Sequence, residues 1–167
     1  MKVLIIYATA GGGHKAAAKS LATGIIRRGS NVKIIDGLAK QPKWLQLAFN
    51  QGYALLTDRF PLLWKIIYLI ADHPLLRYFL LPSFFWLGHK YLTQEILEYR
   101  PDKIVCTYFG WPSVAERILK KHHLQSDLYT VVTDKFTAPA VWFIQPQANF
   151  LVFSKETKKL AILNHIK

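Results

Sequence analysis

Val3–Tyr7 (VLIIY) is an unbroken apolar run, the pattern of a strand buried on both faces of a parallel sheet. A glycine turn follows. His14 to Arg28 then carries Ala17, Leu21 and Ile25 at helical spacing, and Gly29-Ser30 ends that element. Asn31 to Asp36 (NVKIID) reads as a second strand, so the first third of the chain is a β-α-β unit with the glycine loop at the carboxyl end of its first strand. From Pro42 to about Tyr99 the pattern is helical, punctuated by Pro61, Pro74 and Pro82. After Arg100-Pro101-Asp102 the alternation resumes: a strand over Lys103 to Thr107, a helix over Pro112 to His122, and strands over Leu128 to Thr133 and Phe150 to Phe153. Ser154 stands where an N-cap belongs, ahead of a last helix that is barely formed at Lys167, which reads as a truncation point. No internal repeat or low-complexity linker interrupts this order. The expectation is one α/β domain over residues 1–167, a Rossmann-like parallel sheet with a helical, aromatic-rich insertion at about 42–99.

The first candidate site is Tyr7 to Ala17 (YATAGGGHKAA), where Gly11, Gly12 and Gly13 separate a strand from a helix. Such a turn presents free backbone N–H groups at the positive end of a helix and lets a ligand approach closely, because glycine has no side chain. It is not a Walker A loop, since Lys15 follows His14 rather than the last glycine. Gly11, Gly13 and Ala16 do satisfy the looser dinucleotide fingerprint, and Asp36 ends the second strand near where a ribose-binding acid belongs. A dinucleotide-binding module is therefore an alternative reading. His14, in the first helical turn, is a candidate general base, because the positive helix end disfavours imidazolium. Asp134, after the strand ending VVT, and Thr107-Tyr108, after KIVC, occupy the same sheet edge if the strands are parallel, and Asp134 is a candidate to orient substrate or to assist His14.

Composition changes the picture in one respect. The 167 residues are 51% hydrophobic and carry 22 Lys and Arg against 10 Asp and Glu, a net charge of +12. That surplus calls for an anionic partner. Nucleic acid is the weaker choice: no Arg-clustered recognition helix, aromatic RNP strand or zinc spacing is present. Twelve of the 23 aromatics lie between Trp44 and Tyr91, on segments too polar to span a bilayer, interleaved with Lys65, Arg77 and other cations. Trp, Lys and Arg in that combination suit a helix lying at the headgroup level, where each basic residue contributes roughly 1 kcal/mol near an anionic leaflet. Trp44, Trp64, Lys65, Arg77 and Trp86 are the candidate membrane and acceptor contacts. Cys106 is the single cysteine and no signal-peptide pattern is visible, so the expected location is cytoplasmic, peripheral on the cytoplasmic face of the membrane. No metal-ligand spacing stands out.

The glycine loop with its alanine-rich helix (ATAGGGHKAAAKSLATGI), a second strand ending in Asp36, and the later order VVTD, WF and SKETKK together resemble one known family. The chain looks like the amino-terminal half of the monogalactosyldiacylglycerol synthase and processive diacylglycerol glucosyltransferase family, relatives of the MurG-type transferases. The resemblance implies one lobe of a two-lobed GT-B glycosyltransferase that moves a hexose from a nucleotide sugar to diacylglycerol. This lobe would meet the lipid acceptor and the membrane, and no cofactor is implied beyond the nucleotide sugar as donor substrate. It implies that Gly11 to Gly13 and His14 form the family's glycine loop and that Asp134 is its TD aspartate, with His14 or Asp134 as the base that activates the acceptor. The sequence departs from relatives at Thr9, where plant-type members have an acid, and at Pro139-Ala140-Val141-Trp142, where a histidine commonly precedes the tryptophan. The nucleotide-sugar lobe is the expected missing partner, and without it the chain is expected to be inactive. A degenerate lobe serving only as a membrane-surface binder is the non-enzymatic alternative.

Overall fold

The structure is a computed structural model. It describes residues 1–164 apart from Gly11, residues 53, 54, 56–58, 61, 64, 65, 67–72, 74, 81, 82 and 84, and residues 135–137 and 145–148. Five strands, β1 (Lys2–Tyr7), β2 (Asn31–Asp36), β3 (Lys103–Cys106), β4 (Asp127–Val131) and β5 (Asn149–Leu151), form one sheet in the order β2-β1-β3-β4-β5. Every pairing is parallel, in registers such as Ile6↔Ile35, Ile5↔Val105, Val105↔Tyr129 and Val131↔Leu151. The α/β, Rossmann-like expectation holds.

The all-apolar β1 is central, as its sequence requires, and its side chains alternate between two cores. On one face Leu4, Ile6, Ile104 and Cys106 meet α3 (His89–Tyr99) and α4 (Trp111–Lys121) through residues such as Leu92, Ile96, Val114 and Ile118. On the other, Val3, Ile5, Val105 and Val131 meet α1 (Gly13–Ile26) through Ala18 and Ala22. The expected Leu21 and Ile25 also pack against this core, and Ala18 and Ala22, one position further on, are its fully buried contacts. Alanines at the contact let the helix backbone approach the sheet closely. A smaller core of Val132, Ala138, Trp142, Phe143 and Ala161 ties the end of β4 to α5 (Lys155–Leu163). Ser154 caps α5 as expected, its Oγ accepting from the Thr157 N–H at 3.0 Å.

The insertion contains α2 (Lys43–Leu47) and two π-helical turns, Ala48–Gly52 and Leu76–Leu80, before a 3-10 turn at Trp86–Gly88 leads into α3. Among the described residues, no helix is long and apolar enough to cross a membrane. Phe49 and Phe85 anchor the insertion to the body of the domain: both rings meet Tyr108, at centroid distances of 6.5 and 5.7 Å.

Candidate functional site

In the order β2-β1-β3-β4-β5, β1 sends its connection to β2 on one side and has β3 on the other. Ligand crevices in open α/β sheets lie outside the carboxyl ends of the strands at this reversal. Three predicted segments meet there. His14 opens α1 after β1, Thr107 and Tyr108 follow β3, and Thr133 and Asp134 follow β4.

His14 joins all three strand ends. Its Nδ1 lies 2.9 Å from the Thr107 carbonyl oxygen and 2.9 Å from Thr133 Oγ1. Thr107 Oγ1 in turn donates to the His14 carbonyl at 3.1 Å, so one residue after β3 holds both the helix start and the imidazole. The Tyr108 ring stands edge-on to the imidazole at 4.9 Å, and the Trp142 indole lies tilted at 6.1 Å. A carbonyl oxygen only accepts, so the neutral ring carries its proton on Nδ1 and its lone pair on Nε2. Burial pushes the His14 pKa below the ordinary value of 6.5, opposed by the Thr107 carbonyl hydrogen bond and the charge of Asp134. The ring is therefore neutral at pH 7 and equipped to accept a proton.

Asp134 reaches His14 through charge, while its Oδ2 accepts from the Trp142 indole N–H at 2.8 Å and its carbonyl accepts from Thr157 Oγ1 at 3.2 Å. Asp36 is held by the opening of the loop itself. The Thr9 hydroxyl and N–H and the Leu38 N–H all donate to its carboxylate. The acid that the dinucleotide alternative needed is engaged in closing the β1 and β2 ends together.

The glycines repay a closer look. Gly12, the N-cap of α1, has an ordinary φ of −84°, and neither Gly12 nor Gly13 is among the positive-φ glycines. A Cβ built on either would meet nothing within 4 Å. Neither backbone strain nor packing requires glycine at these two positions. What their lack of side chains leaves is open space beside His14, at a helix start with no side-chain cap and no acidic residue in its first turn.

Gly37 and Gly110 have the opposite character. A Cβ at Gly37 would lie 2.3 Å from Trp111 Cε2, and one at Gly110 would lie 2.6 Å from the Phe85 ring. Trp111, buried and donating from Nε1 to the Tyr7 carbonyl at 2.9 Å, is the wedge that sets the floor of the carboxyl edge.

Three of the predicted membrane residues, Trp44, Arg77 and Trp86, are among the described residues. Trp44 is 65% exposed on α2. Trp86 is half-buried, stacked on His89 at 4.5 Å, with the Arg117 guanidinium 5.7 Å from its ring centroid. Arg77 donates to Asn164 Oδ1 and to the Tyr78 hydroxyl. Trp64, Lys65 and Gly11 lie outside the described residues. Leu47, Leu62, Leu75, Phe79 and Leu87 join Trp44 in leaving the insertion's outer surface apolar. The sequence placed Thr133 at the strand end on this edge but gave the role to Asp134, and it marked Trp142 only as part of the family pattern; their contacts with His14 come from the structure. Among the described residues, no group of three or more His, Cys, Asp or Glu is placed to hold a metal. A surface recess of about 560 Å³ at the amino-terminal end of β4 lies far from this edge, and its Glu116–Lys120 and Asp127–Lys103 charges are already paired.

The chain is 26% identical over 151 residues to a probable chloroplastic monogalactosyldiacylglycerol synthase of Glycine max. The alignment covers 85% of this chain and 28% of that protein, so the chain spans under a third of the relative's length. Residues 14–167, from the imidazole at the strand ends to the last residue, match the family described as monogalactosyldiacylglycerol (MGDG) synthase. The chain belongs to the monogalactosyldiacylglycerol synthase family of glycolipid glycosyltransferases.

Proposed function

We propose that this chain is the acceptor-binding, membrane-facing lobe of a glycosyltransferase that moves a hexose from a nucleotide sugar to diacylglycerol. One observation carries the reading: the aromatic anchors of the insertion, Phe49 and Phe85, pack on Tyr108, and Tyr108 packs on His14. A continuous set of packed rings thus connects the insertion, whose outer side chains are exposed and apolar, to the imidazole at the switch point. A diacylglycerol molecule lying along it would keep its acyl chains against aromatic surface and bring its hydroxyl to Nε2.

In that arrangement the acceptor oxygen attacks the anomeric carbon and the bond from that carbon to the nucleoside diphosphate breaks. The hydroxyl proton passes to Nε2 of His14. Asp134 supports the resulting imidazolium by charge, at a distance that keeps its carboxylate on Trp142. The space at Gly12 and Gly13, with the N–H groups opening α1, accommodates the reacting groups or the departing diphosphate. The donor nucleotide is assigned to a second lobe, joined to this chain or separate.

Membrane contact is assigned to the outer face of the insertion, with Trp44, Arg77 and Trp86 among its groups, on the cytoplasmic side. The test is hexose transfer into diacylglycerol in mixed micelles by this chain combined with a donor lobe. His14→Gln is expected to remove about 10²–10⁴ of the rate while vesicle binding persists. Full transfer by the His14→Gln protein would sink the assignment.

A further inference from the structure

Thr133 has no role in any reading so far. It stands two residues beyond the end of β4, and its hydroxyl lies 2.9 Å from His14 Nδ1. The same nitrogen lies 2.9 Å from the Thr107 carbonyl oxygen. Two oxygens converging on one ring nitrogen have a single consistent assignment. The carbonyl has no proton to give, so Nδ1 supplies the hydrogen, and the hydroxyl receives it through a lone pair in a shared bond. The reverse arrangement, with the Thr133 hydroxyl donating to a bare Nδ1, would set the carbonyl lone pairs against the nitrogen lone pair at 2.9 Å.

We propose that Thr133 is a positioning residue for His14: its hydroxyl is the second acceptor that keeps the imidazole proton on Nδ1 and so keeps the reactive lone pair on Nε2, facing the cleft. The inference rests on the role of His14 proposed above, and it extends that role to a residue on a different strand. Thr107 alone would fix the ring from the β3 side. Thr133 holds the same nitrogen from the β4 side, so rotation about the Cβ–Cγ bond breaks two contacts instead of one. Tyr108, edge-on at 4.9 Å, and Asp134, acting by charge, are the titratable groups that face the ring among the described residues. Both are present in either tautomer, so neither selects between them as the two oxygens do. Burial favours the neutral ring, and the Thr107 carbonyl at Nδ1 and the charge of Asp134 work against burial by stabilising the doubly protonated form.

The test is nitrogen-15 NMR of the histidine rings of this chain, titrated with pH. His14 is identified by the signal that disappears in His14→Gln. In the unaltered protein the neutral His14 ring is expected to carry its proton on Nδ1; a proton on Nε2 overturns the proposal before any variant is made. Thr133→Val keeps the shape and deletes the acceptor. It is expected to lower the His14 titration midpoint by about half a pH unit, because the bond to Thr133 is charge-assisted, and so stronger, only when the ring is doubly protonated. Thr133→Ser is expected to restore it. An unchanged midpoint in a folded Thr133→Val protein, or a Thr133→Ser protein that behaves like Thr133→Val, refutes the role. These readouts need no donor and no transfer, so they stand or fall separately from the proposed reaction. If the ring behaves as expected while His14→Gln transfers hexose normally, the proposed function fails and the positioning does not.

Discussion

Replacing Gly37 by alanine tests whether the floor of the cleft is as tightly built as the structure has it. The added Cβ would sit 2.3, 2.5 and 2.8 Å from Trp111 Cε2, Cζ2 and Nε1. Contacts under 3.0 Å force something to move, and here the neighbour is a rigid ring with 1% exposure. The ring is also flanked by Phe85, T-shaped to it at 5.3 Å, and by Gly88, where a Cβ would lie 3.2 Å from Cζ3. Overpacking of this kind costs about 1–3 kcal/mol, and displacing the indole from the Tyr7 carbonyl costs about 1 kcal/mol more. For a chain of this size, roughly 3 kcal/mol corresponds to a fall of about 6–12 °C in Tm. Thermal unfolding followed by circular dichroism reads the shift directly. Trp111→Leu supplies the control: in that background Gly37→Ala should cost much less, giving a coupling of about 1–3 kcal/mol in the double-mutant cycle. A Gly37→Ala protein whose Tm stays within about 1 °C of the parent, or strictly additive costs, would refute the wedge.

Gly13 gives the contrasting result. With open space around it and no left-handed backbone, Gly13→Ala should leave stability unchanged or raise it by about 0.5–1 kcal/mol in urea unfolding, yet reduce transfer in the reconstituted enzyme. Because the folded-state pKa of His14 lies below its unfolded value of 6.5, the unfolded chain takes up its proton first as pH falls. Stability is therefore expected to decline from pH 6.5 down to the folded pKa, and His14→Gln should flatten that part of the urea-midpoint profile. On the insertion, Trp44→Ser and Phe79→Ser alter side chains that are each 65% exposed, so Tm should hold. Co-sedimentation with phosphatidylglycerol-containing vesicles should weaken on the order of tenfold per substitution, the scale of one apolar side chain.

The parallel sheet was legible because its strands are short apolar runs set off by Gly, Pro and Asp, and Asn31–Asp36 was placed with its observed ends. The ends of other strands were less legible, for a tertiary reason. β4 stops at Val131 rather than Thr133 because its partner β5 is only three residues long and the last pairing is Val131↔Leu151. That early stop is what releases Thr133 and Asp134 from the ladder to turn towards His14. Similarly, the helix expected from Pro112 begins at Trp111, whose indole hydrogen-bonds a carbonyl 104 residues earlier in the chain. His14, Thr107, Tyr108 and Asp134 were findable because each follows a strand, and topology brings strand ends together. Trp142 was visible only as part of a family pattern, and its hydrogen bond to Asp134 is a three-dimensional contact that no sequence spacing announces. Likewise, the sequence marks Asp36 as a ribose ligand as readily as a clasp for Thr9, because the partner of a carboxylate is a matter of three-dimensional distance.

The central claim, that a lipid acceptor lies along the insertion and ends at His14, is tested most directly by photolabelling this chain with a diacylglycerol bearing a diazirine near its free hydroxyl. Saturable labelling mapped by mass spectrometry to the peptides around His14 and Tyr108, competed by unlabelled diacylglycerol, is the predicted result. Labelling that does not saturate, or that saturates only on peptides remote from the carboxyl edge of the sheet, would contradict it.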